Sequence, residues 1–476
     1  MKLMTTRVLT GLILLATAAT PLAAQQQARS ISASDKRQGA AANPQLVAQF
    51  GGRYTGPQAA YVERVGKRVA VQSGLSNATG DFTVTTLNSS VENAFAIPGG
   101  YVYVTRQLLG LMNSEAELAS VLGHEVGHVA ARHAQSRNTR STIGSILAAG
   151  AGLLTGSNLA SQVVGQGAQL YTLKYGRDQE YQADALGVRY IAAAGYDPYA
   201  AADMLSALGA SSALAARATG RDASATPSWA STHPNSEDRV RRAEKLAAAT
   251  GKPEGSPPQD TAFLRMLDGL PYDDDPQQGI VDGQTFRHPG LRVRFAAPAG
   301  YRIANGDDAV TIVGNGGQAQ FQTATGTDPA ATVGARLRAL GAPAEGETQE
   351  GTANGLRYAW RTVRAAAGGR AVDATVVAYR FPAAIYTFTL VTPAGSGIGP
   401  FQPLLASVAP LSAADAAAIR GKVIRIVTVG AGDTIDKLSA RMAYPDLRRE
   451  RFLTLNGLPS DQPLRPGTLV KLVVAS

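Results

Sequence analysis

Two histidines and a glutamate stand at a spacing that suits a metal ion. His124, Glu125 and His128 form the pattern H-E-x-x-H. If this segment is helical, four residues advance the chain by slightly more than one turn, so both imidazoles project from one face and can hold one ion. Glu125 then lies about 100° further round the helix axis, where it can reach water beside the ion. The pattern predicts a zinc site with a general base next to it.

The segment that carries this pattern has its own helix start signal. Ser114 is followed three residues later by Glu117, a capping box in which both side chains satisfy free backbone N–H groups. We therefore expect a helix that begins after Ser114 and continues through His128. The alternative for the histidines is an ordinary amphipathic helix in which they are partly buried and hydrogen-bonded.

Two histidines leave a catalytic zinc short of one protein ligand, because such sites use three and keep a fourth position for water. His133 lies nine residues after His124, on a different helix face. Glu180 and Asp184 are four residues apart in a later helical pattern and share a face. One of them can bind the ion while the other orients an imidazole. The alternative for this pair is a solvated acidic helix face.

Four motifs in chain order resemble one family of peptidases. They are the stretch from Asn93 to Leu109, H-E-x-x-H, Glu180-x-x-Ala183-Asp184, and Ser231-Thr-His233-Pro234 followed by Arg239. Together they resemble the HtpX/BepA-type gluzincin metallopeptidases, relatives of the CAAX prenyl protease. The resemblance covers about residues 45–250. It implies one zinc ion per chain held by His124, His128 and Glu180, with Glu125 as general base and acid.

The same resemblance assigns further residues around the metal. His233 resembles a histidine near the metal that could stabilise the tetrahedral oxyanion or cap the zinc in a resting state; its alternative is a turn residue before a proline. Asp184 and Arg239 are implied behind the ligands. The substrate site is implied at an edge strand on which a peptide pairs by β-augmentation, formed by Asn93, Ala94, Phe95 and Ala96. Pairing through the main chain predicts broad specificity for extended or unfolded segments.

Composition excludes several classes of protein. At about 100 to 200 residues per domain, 476 residues predict several domains. The absence of cysteine excludes disulfides, cysteine metal ligands, iron–sulfur clusters and a cysteine nucleophile. The formal net charge of +9 comes without a dense basic run that alternates with aromatic residues, so we expect no nucleic-acid partner.

The first residues have the layout of a secretory signal. Lys2 and Arg7 precede an apolar stretch from Val8 to Thr20, and small residues follow up to Ala24. The alternative is an uncleaved anchor, but about 13 apolar residues are too few for a bilayer core that needs roughly 20. We expect residues 1–24 to be a cleaved signal peptide. Export of a cysteine-free chain favours a bacterial periplasm.

The remaining chain predicts a multidomain fold. The expected order is a linker at 25–44, a mainly α zincin-like metallopeptidase domain with a small β-sheet at 45–250, a linker at 251–285, a small α+β module at 286–412, and a LysM-like βααβ module at 422–474. In the α+β module, strands are expected from alternation near residues 291–295, 310–313, 358–363, 374–381 and 385–391, and helices near 330–340 and 401–408. We interpret this module as a docking or positioning element.

The C-terminal segment resembles a LysM module. Its signposts are Gly432-Asp433-Thr434, Leu455-Asn456-Gly457-Leu458 and Arg465-Pro466-Gly467. LysM modules bind N-acetylglucosamine polymers, so the resemblance implies tethering to peptidoglycan. The insert at residues 442–451 departs from the usual spacing. A descendant that binds protein, or binds nothing, is the alternative.

An uncharged interval lies between the second and third motifs. From Ser141 to Leu173 it contains several glycines and many Ser, Thr and Gln residues, which makes it too polar and interrupted for a membrane span. We expect a mobile lid or a hairpin of small residues beside the active site. Peripheral contact with a membrane or the cell wall stays open.

These observations favour an exported zinc-dependent endopeptidase that cleaves extended or unfolded segments, in cell-envelope protein quality control. Its expected partners are protein or peptide substrates, peptidoglycan, and an outer-membrane assembly machinery. One alternative is an envelope chaperone or assembly factor whose metal site His233 holds closed. Another is a peptidoglycan-binding scaffold with a vestigial metal site.

Overall fold

The computed structural model describes most of the chain. The described residues are 30–76, 79–135, 175–219, 233, 237–254, 259–306, 309–341, 346–367, 370–459 and 462–476. The expected signal peptide and the interval from Ser141 to Leu173 lie outside them. Within these ranges, no helix is long and apolar enough to cross a bilayer.

The N-terminal part is mainly helical with a small sheet, as the sequence predicts. The sheet has the order β1-β3-β2; β1 and β3 are parallel, and β2 pairs antiparallel at the edge. Its strands are β1 (Thr83–Leu87), β2 (Ala94–Ile97) and β3 (Tyr101–Thr105). The helices are α1 (Ala33–Gln49), α2 (Gln58–Ala70), α3 (Arg106–Leu111), α4 (Glu115–Ala130), α5 (Arg177–Ala193), α6 (Ala200–Thr219) and α7 (Glu237–Ala248).

Helix α4 is the centre of this part of the molecule. Ser114 is its N-cap and accepts a hydrogen bond from the Glu117 N–H at 3.1 Å, while the Glu117 carboxylate accepts from the Asn113 N–H at 2.8 Å. From Leu118 to His128 every residue is buried. The helix packs against α2, α5, α6 and β2. The capping box therefore places the start of the helix correctly.

Helix α1 occupies part of the segment expected to be a linker at 25–44. It begins at Ala33 and buries Ala42 and Leu46. Gly39 comes so close to the turn after β2 that a Cβ there would lie 2.1 Å from the Pro98 carbonyl oxygen. From residue 33 onward the chain is helical, where a linker was expected. The sequence does not show this helix because small and polar residues interrupt its apolar pattern, and contacts with distant residues stabilise it.

The expected linker at 251–285 is also folded. It contains α8 (Thr261–Met266), β4 (Pro271–Tyr272) and β5 (Ile280–Asp282). Phe263 and Leu267 are fully buried, and Asp260 caps α8 by accepting from the Phe263 N–H at 3.0 Å. Asp274, in the acidic triplet 273–275, accepts from the Val281 N–H at 2.8 Å. These elements are too short to give a clear periodic pattern, and the Pro and Gly residues around them are typical of loops.

The middle of the chain is the predicted α+β unit, built as two packed sheets. Among the described residues, one sheet has the order β11-β12-β13-β14-β10-β9-β8 and the other β15-β7-β6-β5, and aromatic side chains such as Phe295, Phe321 and Phe388 fill the core between them. The elements are β6 (Thr285–His288), β7 (Val293–Ala296), β8 (Arg302–Asn305), β9 (Val310–Gly314), β10 (Gly317–Ala324), α9 (Pro329–Ala339), β11 (Gln349–Ala353), β12 (Leu356–Ala367), β13 (Arg370–Arg380), β14 (Ile385–Pro393), α10 (Gln402–Ser407) and β15 (Ala409–Pro410). Every strand and helix predicted here has a counterpart; β6, β8, β10, β11 and β15 are additional strands that the sequence pattern does not predict.

The last segment has the expected strand–helix–helix–strand order. After α11 (Ala413–Ala418) come β16 (Lys422–Thr428), α12 (Ile435–Ser439), α13 (Arg448–Asn456) and β17 (Leu469–Ala475). β16 pairs antiparallel with β17 and, on its other side, with β4. The LysM assignment of this C-terminal module, residues 422–475, stays a prediction.

Candidate metal centre

Close packing of α4 on α5 brings the predicted ligands together. A Cβ at Gly127 would lie 2.9 Å from the Ala183 carbonyl oxygen, and one at Gly187 would lie 3.0 Å from the His124 backbone nitrogen. Glycines at these contacts let the two helix backbones approach more closely than side chains would allow. As a result Glu180, in the first turn of α5, faces the histidines of α4.

Four buried side chains present donor atoms to one point. The donor atoms of His124, His128, Glu180 and His233 all lie within 4.8 Å of one another. The two Nε2 atoms of His124 and His128 are 3.0 Å apart, His233 Nδ1 is 3.0 Å from Glu180 Oε1, and each Nε2 is 3.6 Å from a Glu180 oxygen. Ligand atoms of a tetrahedral zinc lie about 3.3 Å apart. The donor set and its spacing fit zinc.

A second group of charged residues holds these ligands in place. Asp184 Oδ1 lies 2.9 Å from His124 Nδ1, which turns the other ring nitrogen, Nε2, toward the ligand cluster. Arg239 donates to both Asp184 oxygens at 2.7 and 2.8 Å, and it reaches Glu180 at 2.9 Å. Burial alone would raise the pKa of Asp184, but hydrogen bonds from Arg239 and His124 outweigh it and hold that pKa well below its ordinary value. Asp184 and Arg239 thus lie where the family resemblance implies.

The charges of the centre also favour a divalent cation. Three buried carboxylates, those of Glu125, Glu180 and Asp184, face the single buried guanidinium of Arg239 in this part of the described structure. Buried charge is costly unless it is compensated. With neutral imidazoles, the cluster carries about two uncompensated negative charges, which a zinc ion balances.

His233 and Glu125 face each other across the centre. Glu125 is completely buried in α4, and its Oε1 lies 3.6 Å from His233 Nε2. Burial alone would lower the pKa of His233, but the charges of Glu180 and Glu125 outweigh it, so the pKa is raised. His233 therefore belongs to the cluster and is more than a turn residue before a proline.

Three further residues surround His128, and the sequence pattern does not predict them. His128 Nδ1 is 2.8 Å from His133 Nδ1, and His133 Nε2 is 3.0 Å from Gln182 Oε1. The Tyr175 ring stacks on His128 with centroids 3.8 Å apart. α4 ends at Ala130, and Arg132 adopts a left-handed conformation with φ 57°, so the chain folds back. Helical spacing places His133 on another face of α4, but this spacing does not apply because the helix ends before His133.

The predicted substrate strand lies beside the centre. β2 begins at Ala94, and Asn93 precedes it with its carbonyl accepting from the Thr105 N–H at 2.9 Å. Ala94 and Ala96 pack on the α4 side of the sheet, whereas Phe95 packs on the α1 side. A cavity of about 30 Å³ separates the end of β2 from His128. All four predicted substrate residues thus lie at or next to the edge strand.

Comparison with known proteins identifies this part of the chain. Residues 57–247 match the model of peptidase family M48. This stretch is similar to the M48 peptidases. It contains α2 to α6, β1 to β3, all but the last residue of α7, and every candidate ligand. The match is to a family of zinc peptidases, and the His/His/Glu/His cluster is the candidate metal site of this stretch.

Curated relatives are similar to part of this chain. The mitochondrial metalloendopeptidase OMA1 of Schizosaccharomyces pombe is 30% identical over 216 residues, 44% of this chain and 60% of that protein. OMA1 of Arabidopsis thaliana is 34% identical over 158 residues, 33% of this chain and 30% of that protein. A putative beta-barrel assembly-enhancing protease of Vibrio cholerae is 31% identical over 202 residues, 39% of this chain and 38% of that protein. The chain therefore spans 30 to 60% of the length of these relatives.

Replacing Asp184 tests whether the residues behind the ligands tune metal binding. We expect Asp184→Asn to weaken zinc affinity by about 10- to 100-fold, because the His124 ring loses its charged partner and Arg239 loses its ion pair. Competition with a chromogenic chelator measures this affinity. Asp178→Asn, an exposed change on the same helix, is the matched control. Equal zinc affinity in the two variants would contradict the orienting role of Asp184.

Proposed function

We propose that the protein is an exported zinc-dependent endopeptidase that cleaves extended or unfolded protein segments, in cell-envelope protein quality control. The observation that carries the proposal is the buried cluster of His124, His128 and Glu180 inside an M48 domain, with Glu125 beside it. Zinc in such a site supplies Lewis acidity, which polarises a peptide carbonyl and makes water a stronger acid.

Glu125 is the group that moves protons. Its carboxylate is fully buried on the face of α4 next to the ligands, where the low dielectric strengthens its interactions. As general base it takes a proton from the attacking water, and as general acid it passes that proton to the leaving amine. One residue can perform both roles because the two transfers follow each other at the same place.

The outer edge of β2 supports recognition of extended peptides. Asn93 directs its carbonyl toward β3, so the alternation of an antiparallel pair turns the backbone groups of Ala94 and Ala96 away from β3. A peptide that pairs with this edge adds a strand and lies close to His128. Such pairing uses main-chain groups that every sequence has, which favours unfolded substrates of many sequences.

Replacing Glu125 with Gln tests the mechanism. We expect Glu125→Gln to keep zinc and the fold but to slow cleavage of an unfolded protein by about 10²- to 10⁴-fold, because the amide cannot accept the proton. Zinc content, circular dichroism and cleavage rate are measured together. Glu63→Gln, an exposed change on α2, is the control. A fully active Glu125→Gln variant would exclude Glu125 as the base.

A closed resting state is a second candidate that the geometry favours. His233 is 1% exposed, and its Nδ1 lies 3.0 Å from Glu180 Oε1 and 3.3 Å from His124 Nε2. Four protein donors complete a tetrahedral zinc and leave no position for water. We propose that His233 caps the metal at rest and must leave before cleavage, which would suit an assembly factor with regulated proteolysis.

His233→Ala distinguishes the cap from the oxyanion role. If His233 caps the metal, the variant should cleave faster than wild type, because a coordination position opens, and it should bind zinc less tightly. Cleavage rate and zinc affinity are compared with those of His288→Ala, a change in the middle unit. A large loss of cleavage with zinc still bound would instead assign His233 to stabilising the oxyanion.

Location and partners extend the proposal. Export to the periplasm is supported by the signal-like N-terminus and the absence of cysteine. Binding to peptidoglycan is supported by exposed LysM-like signposts in the C-terminal module, including Gly432, Thr434, Arg465 and Gly467. Contact with an outer-membrane assembly machinery is supported by relatives named beta-barrel assembly-enhancing proteases. Co-sedimentation with purified peptidoglycan tests the glycan partner, and binding by a chain that holds no zinc would favour the scaffold alternative.

A further inference from the structure

The C-terminal module shares its core with the peptidase domain. Ile424, Phe452 and Leu472 of the module lie in the same apolar cluster as Leu108 and Leu122 of the domain. α13 packs against α3 and α6, and α6 packs against α4. A binding module attached only by a linker would have a hydrophobic core of its own. The shared core indicates instead that the C-terminal module is part of the same folded unit as the peptidase domain.

The approach of the module to α3 is unusually close. A Cβ at Gly110 in α3 would lie 2.7 Å from the ring of Tyr272 and 2.9 Å from the Ile424 side chain. Tyr272 belongs to β4, the strand that joins the sheet of the module. The contact therefore depends on glycine at this position.

The outer edge of the module's sheet is closed by side chains. Gln259 exchanges two hydrogen bonds with the main chain of Leu469, each 2.7 Å long. Asn456 does the same for Lys471, with bonds of 2.7 and 3.0 Å. Because these bonds satisfy the backbone of β17, the strand and the Lys471 side chain are held in a fixed position.

Lys471 connects the module to the peptidase domain. Its side chain is completely buried, and Nζ donates to the carbonyl oxygens of Gly110, Leu111 and Met112 at 2.9, 3.0 and 2.7 Å. An ammonium group has three N–H donors, so all of them are used. The last carbonyls of a helix lack partners within the helix, and the end of α3 finds its partner here.

The bound end of α3 leads directly into the metal helix. Ser114, the N-cap of α4, follows Met112 by two residues, and α4 continues without a break to His124 and His128. Burial lowers the pKa of Lys471, while the negative charge of Glu117, in the first turn of α4, acts in the other direction and favours the ammonium form. Lys471 thus binds the short segment between the end of α3 and the start of α4, the helix that carries His124 and His128.

We propose that Lys471 is a positioning residue of the metal centre: through it the C-terminal module fixes the beginning of α4 and thereby the places of His124 and His128 relative to Glu180. The inference rests on the proposed zinc centre. If Lys471 only adds global stability, its loss lowers protection throughout the chain and leaves the zinc affinity of the folded molecules unchanged.

The test uses the full chain with Lys471→Met, and Lys437→Met, an exposed lysine of the same module, as the matched control. In folded Lys471→Met, we expect hydrogen-exchange protection of α4 to fall about tenfold more than protection of β12 to β14 in the middle unit. We also expect its zinc affinity, measured by chelator competition, to fall about tenfold. Lys437→Met should match wild type. Unchanged α4 protection and zinc affinity in a folded Lys471→Met chain would overturn the proposal, as would an equal loss everywhere.

A second variant covers the case in which Lys471→Met does not fold. Gly110→Ala keeps the lysine but pushes the module away from α3. It should lower the hydrogen-exchange protection of α4 by a smaller factor than Lys471→Met does. In the wild type, amides of β17 and α4 should open as one unit as denaturant increases. Independent opening of β17 at lower denaturant would overturn the proposal. These exchange measurements need neither zinc nor substrate. They therefore test the role of Lys471 even if the protein proves to have no peptidase activity.

Discussion

The close approach of α4 and α5 is the constraint on which the rest of the centre depends. Glycines at positions 127 and 187 allow the backbones to touch, and this contact sets Glu180 against the two histidines of H-E-x-x-H. A larger side chain at either position would separate the carboxylate from the imidazoles, and no rearrangement of surface residues could restore the distances. The edge strand β2 packs on the same helix, so one element positions both the candidate ligands and the proposed substrate edge.

That packing creates an electrostatic problem which the surrounding helices solve. Burying carboxylates together is costly, and Arg239 of α7 offsets part of the cost by pairing with Glu180 and Asp184 at once. The remaining negative charge suits a divalent cation. Asp184 also fixes the ring of His124, so the residue that contributes charge contributes orientation as well. Hydrogen bonds and ion pairs from Asp184 and Arg239 therefore orient His124 and Glu180 within the candidate centre.

Local periodicity predicted much of this centre, and tertiary contacts supplied the rest. His124, Glu125 and His128 follow from helical spacing. Spacing and the need for a third ligand left Glu180 and Asp184 as candidates, and the family resemblance implied Glu180. His133 could not be placed, because its contact with His128 depends on where α4 ends and on a left-handed residue after it. The folded linkers and the role of Lys471 were missed for a related reason. A buried lysine that bonds to carbonyls about 360 residues earlier in the chain leaves no periodic signal. The strands of the middle unit were predicted where side chains alternate, as in β13 and β14.

Zinc content per chain decides whether the cluster of His124, His128 and Glu180 is a metal centre. The purified full chain and Glu180→Ala are compared by metal analysis, with circular dichroism to establish that both are folded. We expect close to one zinc per wild-type chain and much less in the folded variant, since the third ligand is gone while His124 and His128 remain. A well-folded wild-type chain that holds no zinc and cannot be reloaded with it would contradict the account.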